Sequence, residues 1–189
     1  MPTCGTQYYK YDLPTGTWNR VYAELLTDEE KKQIAKELEK GFMELGYKVD
    51  KTYGEIIEDR ETQITYSVLG QDIVDVLGEE GVRLKEEWDP NNSKKQAVRD
   101  LVAPRLPDFE VRVGGVTSID VTKPGVDKAY GMQKLIDMLG ISKDEILFMG
   151  DRLQEGGNDY PVMAMGIDSL EVSRWQDTAL VLEGILHTS

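Results

Sequence analysis

The strongest chemical signal in the chain is the run Gly150-Asp151-Arg152-Leu153-Gln154-Glu155-Gly156-Gly157-Asn158-Asp159. Asp151, Asn158 and Asp159 put hard oxygen donors on one loop, the donor type Mg²⁺ prefers. Gly156 and Gly157 let the backbone fold close to an ion or a phosphate. An ordinary acidic surface turn has the same composition. The apolar run Ile146-Leu147-Phe148-Met149 just before Asp151 decides between the two readings. A buried parallel strand delivers a carboxylate at its carboxyl end in this way, and open α/β sheets bind ligands there. Lys128 is the second candidate. It lies near the start of a helix one element earlier, where an ammonium group can meet a phosphate or neutralise a carboxylate; a solvated helix lysine is the competing reading. The third group is Arg60, between two short strands, with Ser118 and Asp120 alternating on one strand after Gly114-Gly115. Such a group can grip a sugar or a phosphate, or be the wet face of an edge strand.

The elements that must position these residues are legible in outline. Thr6 to Tyr11 and Trp18 to Tyr22 are β-prone around the turn signal Asp12-Leu13-Pro14-Thr15-Gly16-Thr17, which predicts a hairpin. Thr27-Asp28-Glu29-Glu30 is a capping box, and Ile34, Leu38, Phe42 and Leu45 form one helical stripe that Gly46 ends. Strands are expected over Glu55–Asp59 and Gln63–Leu69, and a helix capped by Ser93 over residues 93–102, stopped by Pro104 and Pro107. Further strands are expected over Glu110–Val113 and Thr117–Val121. Beyond Lys123-Pro124-Gly125 the order becomes helix, strand, loop, helix, with Gly140 as a helix C-cap, which suggests half of a Rossmann unit. Domain limits follow at residues 1–9 (entering segment), 10–121 (α+β domain) and 122–189 (half-core). The three tryptophans, Trp18, Trp88 and Trp175, read as packing anchors, and His187 as a terminal residue without a catalytic role.

Composition narrows the function. The chain has 189 residues, with 22 Lys plus Arg against 35 Asp plus Glu, for a net charge of −13. That surplus repels phosphate backbones, so neither nucleic acid nor an anionic membrane is an expected partner. A single cysteine, Cys4, leaves no internal disulfide and no multi-cysteine zinc site. No apolar run approaches the length of a membrane span, and a cytoplasmic location is the default expectation.

Thr117-Ser118-Ile119-Asp120-Val121 with Lys128, and then Ile146 to Asp159, resemble the C-terminal half of a haloacid-dehalogenase (HAD) superfamily phosphohydrolase of the IIB (Cof-like) class. Within that class, Glu58-Asp59-Arg60 and Gln63 to Gly70 resemble the cap strands of the phosphomannomutase branch. The resemblance covers nearly the whole chain from Pro2. It implies an α/β fold in which half of a Rossmann-like core carries an α+β, C2-type cap. It also implies Mg²⁺ and phosphate-ester chemistry on a sugar phosphate or similar small metabolite. In that scheme Lys128 orients the phosphoryl group, Asp151 is a metal ligand with Asn158 and Asp159 completing the site, and Arg60, Ser118 and Asp120 hold the substrate.

Two departures stand out. The family's chemistry starts from Asp-x-Asp on the first core strand, and no two aspartates stand two positions apart anywhere in this sequence. The expectation is that Met1 stands at an internal position of a longer family member, that this chain alone has little or no activity, and that a free sheet edge invites pairing with a second copy. Second, Gln71 stands where the branch has the next cap arginine after Arg60, and the third has no clear counterpart, Arg83 being only a loose candidate. That favours a phosphatase over a hexose-phosphate mutase; a non-catalytic sugar-phosphate or protein-binding module is the third alternative.

Overall fold

A computed structural model describes residues 1–188. The chain divides into two compact units, Tyr9–Gly125 and a second made of Met1–Tyr8 with Val126–Ser189. The expected return point at residue 122 thus falls four residues before this boundary.

The Tyr9–Gly125 unit starts with the hairpin of β1 (Gln7–Asp12, whose first two residues belong to the other unit) and β2 (Thr17–Ala23). Helix α1 (Asp28–Glu44) follows. Its capping box is formed: Thr27 accepts from the Glu30 amide at 3.2 Å, and the Glu30 carboxylate accepts from the Thr27 amide at 2.6 Å. Strands β3 (Ile57–Asp59) and β4 (Gln63–Ser67), helices α2 (Ile73–Leu77), α3 (Glu79–Trp88) and α4 (Ser93–Val102), and strands β5 (Glu110–Val113) and β6 (Ser118–Thr122) complete it. The four strands form an antiparallel sheet in the order β3-β4-β6-β5. Strand β6 is therefore interior, which removes the edge-strand reading of Ser118 and Asp120.

One face of this sheet is apolar, and α1 and α4 pack on it. Ile34, Leu38, Phe42, Val98 and Val102 are fully buried with Ile64, Ile119 and Val121. Phe42 stacks on Tyr66 at 4.2 Å, and burial pushes the Tyr66 hydroxyl up to about 12. Ser93 does not cap α4. The carboxylate of buried Asp89 accepts from the Lys94 and Lys95 amides at 3.1 and 3.0 Å, and Asn92 enters the helix in the left-handed region. A carboxylate four residues upstream thus does the work expected of Ser93. Helices α2 and α3 escaped the sequence reading because Val74, Val76 and Val82 are exposed, so no buried stripe marks them.

The other unit holds α5 (Lys128–Leu139), β7 (Leu147–Gly150), α6 (Tyr160–Ala164), β8 (Asp168–Glu171) and α7 (Trp175–Thr188). Strands β7 and β8 pair in parallel, Gly150 opposite Glu171. The N-terminal turn Thr3–Gly5 lies against α5, where Gly5 meets Gly131 closely enough that neither tolerates a side chain. Gly140 ends α5 in the left-handed conformation. Burial is thin. Val126, Leu153, Val162 and Ile167 are the buried apolar residues among those described here, and none of α5 is fully buried. β7 is parallel as expected but not buried throughout, since Leu147 is 47% exposed.

Candidate functional site

At the carboxyl ends of β7 and β8 the unit opens into a cavity of about 330 Å³ lined by Lys128, Asp151 and Asp159, among others. Asp127 caps α5 by accepting from the Tyr130 amide at 2.8 Å, which fixes Lys128 as the first helical residue. Lys128 Nζ donates to Asp159 Oδ1 in an ion pair. The other oxygen of Asp159 accepts from the amides of Asp151 and Arg152, both at 3.1 Å. The loop thus folds back on its own strand end. Gly150 makes room for this, because a Cβ there would lie 2.7 Å from the Asp159 carboxyl carbon. Asp159 is buried while Asp151 is exposed. Burial alone would raise the Asp159 pKa. The Lys128 hydrogen bond and charge, with the two amides, outweigh it and hold the carboxyl below the ordinary value.

Lys128, Asp151 and Asp159 therefore meet at one strand end, whereas Asn158 is exposed on the same loop and does not line the cavity. Among the described residues no three His, Cys, Asp or Glu side chains converge to hold a metal.

Arg60, Ser118 and Asp120 lie in the other unit. Asp120 stands opposite Thr65 and Arg112 in the sheet, and Ser118 opposite Ser67. The Thr65 hydroxyl donates to Asp120 at 2.7 Å and accepts from the Gln63 amide at 2.9 Å. Burial raises the Asp120 pKa; the Thr65 hydrogen bond and the Arg60 charge oppose it without cancelling it. Arg60 itself donates to Glu58 at 2.6 Å. Thr122, two residues on, keeps a buried hydroxyl oxygen with no hydrogen-bond partner among the described residues. Gln63, Thr65 and Thr122 were missed in the sequence, although the two-residue alternation through Ser118 and Asp120 leads to Thr122 and its cross-strand neighbour Gln63. Gln71, in the place of the expected arginine, donates to the Ile56 and Thr65 carbonyls at 3.2 and 3.4 Å and so ties backbone together. Arg83 is held by Glu80 and Glu87 along α3.

The model of the eukaryotic phosphomannomutase family matches residues 6–188, almost the whole chain. The chain belongs to that family. It is 30% identical to the Spinacia oleracea phosphomannomutase over 113 residues, which is 59% of this chain and 42% of the relative. Against the Arabidopsis thaliana phosphomannomutase the identity is 46% over 50 residues, 26% of this chain and 18% of that one. This phosphomannomutase-family chain therefore spans less than half of the curated relatives it matches. Its fold is similar to that of an IMP-bound mutant of the Plasmodium falciparum IMP-nucleotidase, with TM-score 0.59 and 20% identity over 98% of this chain and 46% of that one. A haloacid dehalogenase-like hydrolase from Bacteroides thetaiotaomicron gives 0.51 at 12% identity, over 94% of this chain and 73% of that one. The fold is thus the α/β fold of the HAD superfamily. No helix among the described residues is long and apolar enough to cross a membrane.

Proposed function

We propose that the chain provides the cap and the lysine–aspartate half of the active site of a Mg²⁺-dependent phosphohydrolase acting on a sugar phosphate or similar small phosphomonoester. The observation that carries this reading is the buried Asp159 holding Lys128 beside exposed Asp151 in one cavity at the carboxyl end of a parallel strand. An ammonium fixed by one carboxylate still has donors for a phosphate, and phosphoryl transfer asks chiefly for positioning and charge stabilisation.

The donor set fits Mg²⁺, which is held by one or two carboxylates while substrate phosphate and water supply the rest. Asp151 would hold it, with Asp159 beside it; bound there, the ion would neutralise charge on the phosphoryl oxygens. Lys128 orients the phosphate, and Asp159 fixes Lys128 and the two loop amides. In the cap, Ser118 and Asp120 offer hydroxyl and carboxylate contacts to a sugar, with Arg60 as the adjacent cation. Gln71 bound to backbone and Arg83 bound to α3 leave the cap short of the positive charge a second phosphate needs, which favours a hydrolase over a mutase.

The test is calorimetric titration of the chain with inorganic phosphate and with a hexose 6-phosphate, with and without Mg²⁺. Phosphate binding that needs Mg²⁺, and that falls at least tenfold in Lys128→Ala and in Asp151→Ala, is expected. Binding indifferent to both substitutions would refute the site. A second reading, carried by the polar strand face of Ser118 and Asp120 with the Arg60 charge beside it, is a binding module without turnover. It predicts ester binding without Mg²⁺ that Arg60→Ala abolishes and Asp151→Ala spares. Phosphate release at enzyme-like rates by this chain, lost in Asp151→Ala, would exclude it.

A further inference from the structure

Lys95 is a buried charge that the phosphate site does not use. It sits in the first turn of α4, on the same stripe as Val98 and Val102, and like them it is fully buried. Such a position calls for an apolar side chain, because an ammonium taken out of water costs free energy unless a polar group receives it. Here the receiver is backbone: Lys95 Nζ donates to the Gly115 carbonyl at 2.7 Å. Gly115 belongs to the turn between β5 and β6. The Gly114 amide closes that turn on the Ser118 carbonyl at 2.9 Å, and the Val68 amide holds its far end through the Thr117 carbonyl at 3.3 Å. The turn abuts the polar strand face. A Cβ on Gly114 would lie 2.6 Å from Asp120 Oδ2, and one on Gly115 would lie 3.8 Å from Ser118 Oγ.

These contacts run in one line from α4 to the carboxylate. Asp120 Oδ1 accepts from the Thr65 hydroxyl and Oδ2 stands against the Gly114 backbone, so the turn decides where the carboxylate can go. We propose that Lys95 is a positioning residue for sugar recognition: its ammonium pins the Gly114–Gly115 turn, and the pinned turn holds the Asp120 carboxylate and the Ser118 hydroxyl in place for a sugar. The proposal rests on the reading of Ser118 and Asp120 as sugar contacts and adds the residue that sets their geometry. Replacing a buried ionic group by an apolar one of similar volume is often neutral for stability. Gly115 is exposed, so water can take over its carbonyl. Lys95→Met therefore separates stability, which is kept, from recognition, which is lost.

The experiment follows the Asp120 carboxyl against pH by carboxyl-carbon NMR in the full chain, and titrates the chain with a hexose 6-phosphate and with inorganic phosphate, Mg²⁺ present. Wild type, Lys95→Met and Gly114→Ala are compared. Burial raises the Asp120 pKa in the native fold, where Glu58 and Arg60 from the β3 side, Gln63 and Thr65 from β4, and Arg112 from β5 surround it. A loosened turn admits water, so Lys95→Met should move that pKa down toward its ordinary value; a cation acting by charge alone would, when removed, move it up. Hexose 6-phosphate affinity should fall roughly tenfold in Lys95→Met, the scale of one hydrogen bond to a charged group, with inorganic phosphate binding and the urea midpoint kept. Gly114→Ala pushes on the carboxylate directly and should shift the titration and weaken hexose 6-phosphate as well; if Lys95→Met does not fold, this variant decides whether the turn governs Asp120. An Asp120 pKa that rises or stays in Lys95→Met, or a Gly114→Ala variant that titrates and binds like wild type, overturns the proposal. If the titration moves but hexose 6-phosphate binding does not, or if wild type binds no hexose 6-phosphate, the sugar contact falls and the role in recognition with it, while the titration still shows Lys95 holding the turn.

Discussion

Replacing Asp159 by alanine tests whether this carboxylate organises the loop or merely neutralises Lys128. The substitution strips two hydrogen bonds from the Asp151 and Arg152 amides and the partner from Lys128. An orphaned buried donor costs about 1–3 kcal/mol. Asp151 is exposed and Arg152 half-buried, so water reaches both amides and the lower end applies, about 1 kcal/mol each. The Lys128 side chain is 36% exposed, which places the lost pair within the ~0–1 kcal/mol of surface ion pairs. Asp159→Ala is therefore expected to cost about 2–3 kcal/mol, and Lys128→Met, which leaves both amides bonded, about 1 kcal/mol. Urea unfolding measures both costs, and amide hydrogen exchange at Asp151 and Arg152 localises them. The sign with pH is fixed as well. The Asp159 pKa is held below its ordinary value of 3.8, so its contribution is complete above that value and fades as the pH falls through the folded-state pKa. The Asp159→Ala variant lacks that acid-side loss. Equal costs for the two variants, with unchanged exchange at both amides, would show that the ion pair and not the amide cradle holds the loop, and would refute the argument.

Gly131→Ala places a Cβ 2.5 Å from the Cys4 carbonyl oxygen, against backbone that cannot swing aside; a loss of about 1–3 kcal/mol is expected, with faster amide exchange at Thr6 and Gln7. Burial raises the Asp120 pKa, so the folded state holds that proton more tightly and ionisation at neutral pH works against folding. Asp120→Asn, whose amide oxygen can still accept from Thr65, is expected to equal or exceed wild-type stability at pH 7 in urea unfolding, with the advantage disappearing in acid. The β7–β8 sheet has only two strands among the described residues, and Leu147 and Leu170 are exposed on it. Concentration-dependent self-association is expected in sedimentation velocity, and Leu147→Lys should reduce it.

What the sequence revealed depended on how local the cause was. The Thr27 capping box, the Ile34–Leu38–Phe42 stripe and the Gly140 C-cap each act within a few residues, and each is formed in the structure. Asp120 and Ser118 could be placed on one strand face because side chains alternate with period two. Their cross-strand partners Thr65 and Ser67 come from β4, over fifty residues away in sequence, and only the strand register brings them together. Trp18 and Trp175 read as packing anchors because tryptophan usually is one, yet they are 68% and 75% exposed, with Trp18 meeting only the Tyr11 ring among the described ring contacts; Trp88 packs against the core, at 6.3 Å from Phe42 and edge-on to Tyr47. Residue type gives the apolar area of a side chain but not which surface lies against it.

The loop after β7 carries the same point into the chemistry. Read by type, Asp151, Asn158 and Asp159 are three equivalent oxygen donors. In the fold they differ by what each already touches. Asp159 has one oxygen on two amides and the other on Lys128, so its charge is spent on shaping the loop and aiming an ammonium. Asn158 is exposed and does not line the cavity, and Asp151 is exposed while lining it. A carboxylate that positions a cation and a carboxylate that meets an ion have opposite requirements, since the first must be saturated and the second open. Both kinds stand at one strand end because Gly150 has no side chain to exclude Asp159. Gly150→Ala is thus the substitution that would push Asp159 off its amides and set Lys128 adrift while leaving every charged group of the site in the sequence.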